Sequence, residues 1–238
     1  MRRLKKLGFT INDAPIRKAV DCMISCLQGV RKIDNYWEKT LDWELFTQLM
    51  LATWVKVFEP ENETALQVAE RWAKVIEEAF KSGEYRERDY MEAYRQVFDA
   101  EKRAGNEVSF SPFYHLQLLQ GVLSQDTEKR VLDYVIANPS GIYYVYDKPL
   151  YELPKEFASR ESARYLAAIE LLSGYKSAKE RLKLVVWLED NQEQNGQWDL
   201  GAKAKDNIYL PLSDSWTKAE YRKADCTEWI VAILNKIM

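Results

Sequence analysis

Side chains capable of acid–base chemistry or ligand binding recur near the predicted starts of four apolar segments. The carboxylates of Glu44, Asp225 and Glu228 could act as general acid and base if burial or proximity separates their pKa values. Neighbouring aromatic rings can enclose an apolar group or stack on a sugar, and an arginine can hold an anion. We predict catalytic roles for the three acids, and ligand contacts for a second set: Trp43, Tyr114, His115, Arg164, Tyr165 and Trp229.

One helical turn earlier lie further polar residues of the same kind: Asp42, Arg160, Glu161 and Cys226. A structural role competes with the functional one at every such position. Acids in a first helical turn cap helices, and aromatic residues on inner faces form core. The start of a helix also suits a bound anion, because its N–H groups are unpaired and its dipole is positive there. Both interpretations stay open, and the predicted partner is a small molecule.

Composition excludes several classes of protein. The chain has 238 residues, a formal charge of −3 and 13% aromatic residues, which argues against a nucleic-acid surface and against disorder. Its three cysteines, Cys22, Cys26 and Cys226, form no CxxC pair and are odd in number, which favours a reducing compartment. No apolar run approaches about 18 residues, so no membrane span is expected. We predict a cytoplasmic globular protein.

The elements that must position these residues are all helical. Apolar residues recur at helical spacing, and no alternation typical of strands has useful length. Start and stop signals such as Asp13 with Pro15 delimit the segments. The predicted helices cover residues 13–27, 42–58 (with Thr40 as the alternative start), 63–81, 86–102, 111–123, 126–137, 159–173, 177–192 and 218–237. Two long connections separate some of them, a tyrosine-rich segment at 143–154, which is a candidate lid, and a loop at 201–216.

A short motif ends the predicted helix 177–192. Trp187 and Leu188 are followed, after three residues, by Gln192, and Gly196 and Trp198 come next. Gly196 can take a positive φ and so end the helix, whereas Trp198 can bury a large ring. This pattern resembles the QW repeat of the terpenoid cyclases, whose α/α toroid is shared by the protein prenyltransferases. In that family the glutamine and the tryptophan tie neighbouring helices together.

Three degenerate copies extend the resemblance along the chain. Each has an aliphatic residue, a short gap and then a glycine. The glycines of the three degenerate copies are Gly29, Gly83 and Gly141, and Gly196 belongs to the complete copy. The spacings of 54, 58 and 55 residues are typical of stacked helical hairpins. The resemblance implies a single domain, residues 1–238, built as an (α/α) toroid or barrel of about four hairpins. Its last helix would close against its first.

The chain departs from the family at its chemistry. The DxDD acid of protonating terpenoid cyclases and the DDxxD magnesium motif of prenyl-diphosphate synthases are absent. The zinc set of the protein prenyltransferases would have to come from His115, Asp225 and Cys226, whose order and spacing differ from that family. We therefore predict no metal and no cofactor.

Three functions remain open. The first is binding of an isoprenoid-like or sugar ligand in the central cavity of the toroid. The second is carbohydrate hydrolysis, with Asp42 or Glu44 facing Asp225 or Glu228 across a cleft. The third is a non-catalytic interaction or structural module with a filled centre.

Overall fold

The computed structural model describes residues 1–33, 42–100, 108–110 and 113–238. Within these ranges the chain is all-α, as predicted, with no named strand and one isolated bridge between Ile142 and Tyr146. The helices are α1 (Arg2–Lys6), α2 (Ala14–Leu27), α3 (Trp43–Phe58), α4 (Glu63–Ala79), α5 (Glu87–Phe98), α6 (Phe113–Leu118), α7 (Gln125–Ala137), α8 (Arg160–Leu172), α9 (Ala178–Arg181), α10 (Val185–Asp190) and α11 (Ala219–Ile237). No helix in the described ranges is long and apolar enough to cross a membrane.

Polar side chains fix the starts of several helices at the predicted places. Asp42 accepts a hydrogen bond from the backbone N–H of Leu45 at 3.2 Å, and Ser159 accepts one from Ser162 at 3.1 Å. Such caps satisfy N–H groups that have no partner within the helix. The alternative start at Thr40 and the predicted start at Ser111 lie outside the described residues.

The chain divides into two compact units, residues 1–131 and 132–238. In the first unit α3 is the central helix, because it packs against α2, α4 and α6. Its near-continuous apolar sequence fits this place, since residues on several of its faces are buried. Lys56 of α3 is half-buried. Its Nζ donates to the carbonyls of Leu118, the last residue of α6, and Gln120, at 2.8 and 2.5 Å. Burial lowers the pKa of Lys56 to about 8.

In the second unit α8 is the most buried helix, and it packs against α11 and the short 3-10 turn Ala202–Ala204. Trp198 connects two of the other elements in this unit. Its indole Nε1 donates to the carbonyl of Leu188 at 2.7 Å, and its backbone N–H donates to the hydroxyl of Thr227 on α11 at 3.1 Å. Gln192 instead donates to the carbonyl of Gly196 at 2.9 Å, within its own turn.

The predicted helix over 177–192 is interrupted, and α9 and α10 lie on either side of the break. Leu182 and Leu184, two positions apart, are both buried. Residues two apart point to widely different directions on a helix but to the same side of an extended backbone, and Leu182 has an extended conformation. Burying both leucines therefore favours a short extended segment over a continuous helix.

Candidate functional site

The predicted site residues of the first unit serve mainly as packing groups. Trp43 and Glu44 lie in the first turn of α3, where the Trp43 ring is 5.5 Å from that of Phe46 and Glu44 is exposed. Tyr114 is half-buried between aromatic rings, including Phe46 at 5.6 Å. Burial raises the pKa of Tyr114, while a hydrogen bond with Trp54 lowers it.

His115 lies deeper than these residues and is fully buried. Its imidazole stands edge-on to the ring of Trp72, with centroids 4.4 Å apart, and Phe110 is 5.8 Å away. Neither ring nitrogen has a hydrogen-bond partner among the described residues. Burial lowers the pKa of His115 to about 3, so the ring is neutral at physiological pH.

The predicted site residues of α11 lie in the middle of that helix and not in its first turn, and they divide into buried and exposed groups. Asp225 is buried, and its Oδ2 accepts hydrogen bonds from the backbone N–H groups of Leu212 and Ser213 and from the Ser213 hydroxyl, at 2.9–3.0 Å. It therefore holds the long 201–216 connection against α11. Glu228 is exposed, whereas Trp229 is buried and stacks on Tyr209 with centroids 6.2 Å apart.

The thiol of Cys226 is buried, and burial raises its pKa to about 12. A neutral thiol is a poor metal ligand, because metals bind the thiolate. Within the described ranges, no three histidine, cysteine, aspartate or glutamate side chains lie close enough together to hold a metal ion.

The first turn of α8 lines a groove in the second unit that collects several polar residues. The groove has a volume of about 200 Å³, and its lining is Tyr146, Asp147, Lys148, Arg160, Glu161 and Arg164. We call it the tyrosine groove. Three of its residues, Arg160, Glu161 and Arg164, belong to the set predicted from the starts of the apolar segments.

Local structure explains how the two walls of the groove form. On α8, Arg160 and Arg164 are four residues apart and so share one face. The other wall is the turn 141–148, in which the N–H of Ile142 donates to the carbonyl of Tyr146 at 2.7 Å. Gly141 has a φ of +63°, and a Cβ there would lie 2.2 Å from that same carbonyl oxygen. The close turn therefore requires glycine at this position.

Hydrogen bonds and ion pairs occupy most charged groups of the groove. The Oε1 of Glu161 accepts from the Tyr146 hydroxyl at 3.3 Å and pairs with the Lys148 ammonium at 2.9 Å. Burial, followed by the neighbouring Glu161 carboxylate, raises the pKa of Tyr146, so its phenol keeps its proton at neutral pH. Arg160 donates to the backbone carbonyl of Lys205 at 3.3 Å.

Arg164 differs from these groups. Its side chain is half-buried along the groove, and within the described part of the chain it makes neither a hydrogen bond nor an ion pair. A guanidinium has five N–H donors, and leaving them unpaired in a partly desolvated place costs free energy. The arrangement therefore leaves one positive charge available to an anion.

Tyr165, on the neighbouring position of α8, supports the groove from the core. Its ring packs against Tyr146 and Trp187, with centroid distances of 5.6 and 5.7 Å, and its hydroxyl lies 3.4 Å from the carbonyl of Leu150. Burial raises the pKa of Tyr165 to about 12. This side chain thus fixes the position of the Tyr146 ring and keeps its own proton.

Sequence reasoning identified the arginines of the groove but did not name Tyr146 or Lys148 as site residues. The sequence carries a signal for them, because both lie in the tyrosine-rich segment 143–154, the predicted lid. The structure places Tyr146 and Lys148 of that segment beside α8. The pairing of Lys148 with Glu161 could not be inferred from spacing, since it depends on the turn at Gly141.

Comparison with protein-family models, with curated proteins and with solved structures found no match to this chain.

Proposed function

We propose that this protein binds a small organic anion in the tyrosine groove, with Arg164 pairing to a carboxylate or phosphate group of the ligand. The observation that carries the proposal is the half-buried Arg164 guanidinium, which has no partner within the described residues. Arginine is well suited to this role because its planar fork can form two parallel hydrogen bonds with either group.

The charges around Arg164 support an anionic ligand. Lys148 and Glu161 neutralise each other in their ion pair. Arg160 is oriented by its hydrogen bond to Lys205, and the exposed carboxylate of Asp147 is the remaining negative group of the lining. Two arginines against one unpaired acid leave the groove with a net positive charge, which favours anions and disfavours cations.

We propose that the part of the ligand outside its anionic group is a sugar or an apolar chain. The rings of Tyr143 and Tyr144 are more than half exposed and lie on the same turn as Tyr146, with centroids 4.1 Å apart. Tyr144 has a φ of +73°, which is unusual for a residue with a side chain. Exposed aromatic rings on a turn that forms one wall of the groove can stack on a sugar or cover an apolar chain. The two ligand classes left open by the sequence, isoprenoid-like ligands and sugars, both fit this chemistry when they carry a phosphate or carboxylate group.

Binding accounts for the groove better than catalysis does. A general base must be able to accept a proton near neutral pH. The Tyr146 phenol is already protonated there, and the Glu161 carboxylate is engaged by Tyr146 and Lys148.

The α/α toroid remains our proposal for the architecture, on the strength of the motif at Trp187–Trp198. An experimental structure with α2 and α11 far apart would contradict its ring closure.

Replacing Arg164 by glutamine should weaken anion binding about 10- to 100-fold, because charge-assisted hydrogen bonds contribute roughly 1.5–3 kcal/mol. Titration calorimetry with pyrophosphate, glucuronate and geranyl diphosphate would measure the loss, and glucose and geraniol are the uncharged probes. Arg88→Gln is the matched control, since it removes the same charge from an exposed position on α5.

We expect the control to bind like the wild-type protein and the uncharged probes to bind more weakly than their charged counterparts. A ranking with glucuronate first indicates an acidic sugar, and one with geranyl diphosphate first indicates an isoprenoid. Equal affinities of wild type and Arg164→Gln for every anion, or no binding of any anion by the wild type, would contradict the proposal.

A further inference from the structure

Two cysteines near the end of α2 form a thiol pair with a basic neighbour. Cys22 and Cys26 are four residues apart, so they share one face of the helix, and both are partly exposed. The Nη1 of Arg31 donates to the Sγ of Cys22 at 2.9 Å. The thiolate is the nucleophile in cysteine chemistry, and the Arg31 guanidinium lies where it can pair with a negative charge on this sulfur.

Cys22 is partly exposed, and a groove next to the pair is open to a small reagent. Cys26 and Arg31 line a groove of about 420 Å³ in the first unit. Arg31 carries five N–H donors, so a polar reagent such as a peroxide can find a hydrogen-bonding group in the groove.

We propose that Cys22 and Cys26 are a peroxide-oxidised pair, in which Cys22 attacks the oxidant and Cys26 resolves the product as a disulfide. In the first step the Cys22 thiolate attacks one oxygen of hydrogen peroxide, the O–O bond breaks, and sulfenic acid and hydroxide form. In the second step the Cys26 sulfur attacks the sulfenic sulfur. The S–O bond breaks, and the oxygen leaves as water with the Cys26 proton. The two thiols lose two electrons, and the peroxide is reduced to water.

The two cysteines have different roles because their environments differ. Arg31 contacts Cys22, whereas burial and the nearby Cys22 sulfur raise the pKa of Cys26. Cys26 therefore keeps its proton until the second step, in which that proton is needed to form water.

Closing the disulfide must distort the end of α2. Helical residues four apart have Cβ atoms about 5–6 Å apart, whereas a disulfide needs about 3.5–4.5 Å. Cys26 is the penultimate residue of α2, and Gly29 follows with a φ of +72°. The last turn can open at small cost in such a place, because few helical hydrogen bonds lie beyond it. Oxidation would then reshape the groove that Cys26 lines.

Mass spectrometry of the peroxide-treated protein tests the proposal. We expect the wild type to lose two hydrogens through a Cys22–Cys26 disulfide. Cys26→Ser should accumulate a sulfenic acid at Cys22 that dimedone captures, and Cys22→Ser should give no adduct. The buried Cys226 is an internal control and should remain an unmodified thiol.

The role of Arg31 is tested by the rate of oxidation. Arg31→Gln should react about tenfold more slowly, because the thiolate loses its cationic partner. Lys32→Gln is the matched control, since Lys32 lines the same groove and carries the same charge. Equal rates in the two variants, a dimedone adduct at Cys26 in place of Cys22, or no oxidation of either cysteine would overturn the proposal.

Discussion

Replacing Trp198 by alanine should lower the free energy of unfolding by about 3–5 kcal/mol, the range typical of losing a large buried side chain. The indole is almost completely buried, and its Nε1 donates to the carbonyl of Leu188 at 2.7 Å. Alanine would leave a cavity next to α10 and remove this hydrogen bond. Urea denaturation followed by circular dichroism would measure the change.

Two further variants separate the contributions of ring and hydrogen bond. Trp198→Phe keeps much of the buried surface and should cost less than alanine. Its cost should include about 0.5–1.5 kcal/mol for the lost hydrogen bond. Gln192→Ala should cost at most about 1 kcal/mol, because within the described residues its amide bonds to Gly196 of its own exposed turn. A Trp198→Ala protein as stable as the wild type would remove the structural role that we assign to the motif.

Acid should destabilise this protein through one histidine, and replacing His115 by phenylalanine should remove that effect. Burial lowers the pKa of His115 in the folded state to about 3, from an ordinary value of 6.5. Between these values the unfolded chain binds a proton that the folded chain does not bind. The neutral ring therefore makes its whole contribution to the free energy of unfolding above pH 6.5. This contribution decreases as the pH drops towards 3.

The size of the effect follows from the shift. Each pKa unit corresponds to about 1.36 kcal/mol, so the histidine should account for roughly 2–3 kcal/mol of the stability lost between pH 7 and 4.5. Carboxylates titrate in the same range, but they are common to wild type and variant, and His115 is the only histidine in the sequence. The difference between the two pH profiles therefore isolates it.

A second variant is needed in case the phenylalanine ring, which is larger than imidazole, packs poorly at position 115. His115→Met removes the titrating group with a flexible side chain that adapts to irregular spaces. Both variants should show the shallower acid dependence whatever their stability at pH 7. Parallel profiles for wild type and both variants would mean that His115 takes up protons in the folded state, which its burial argues against.

Local sequence signals predicted the all-helical class and the starts of α3 and α8, but they did not predict α1. Asp42 and Ser159 cap α3 and α8 at the predicted places, because a cap depends on residues three or four apart. The interruption between α9 and α10 was not predictable in the same way. It follows from burying both Leu182 and Leu184, and which neighbours cover a residue is a tertiary property.

The candidate site also combines features that the local sequence predicts with features that depend on tertiary contacts. Arg164 was predicted because it lies at the start of an apolar helix, where ligands often bind. Its availability depends on which other groups are paired, and the ion pair between Lys148 and Glu161 forms only through the turn at Gly141. His115 shows the converse, since a lone histidine in an apolar segment has the same sequence signature in a pocket as in a core.

The half-buried ammonium of Lys56 has a consequence for the kinetics of folding. It joins α3 to carbonyls 62 and 64 positions later in the chain, so the loop that it closes contains all of α4 and α5. Closing so long a loop early costs entropy before other contacts compensate for it, which favours late formation of this contact. A Lys56→Met variant should therefore unfold faster than the wild type and refold at nearly the same rate, which stopped-flow measurements would show.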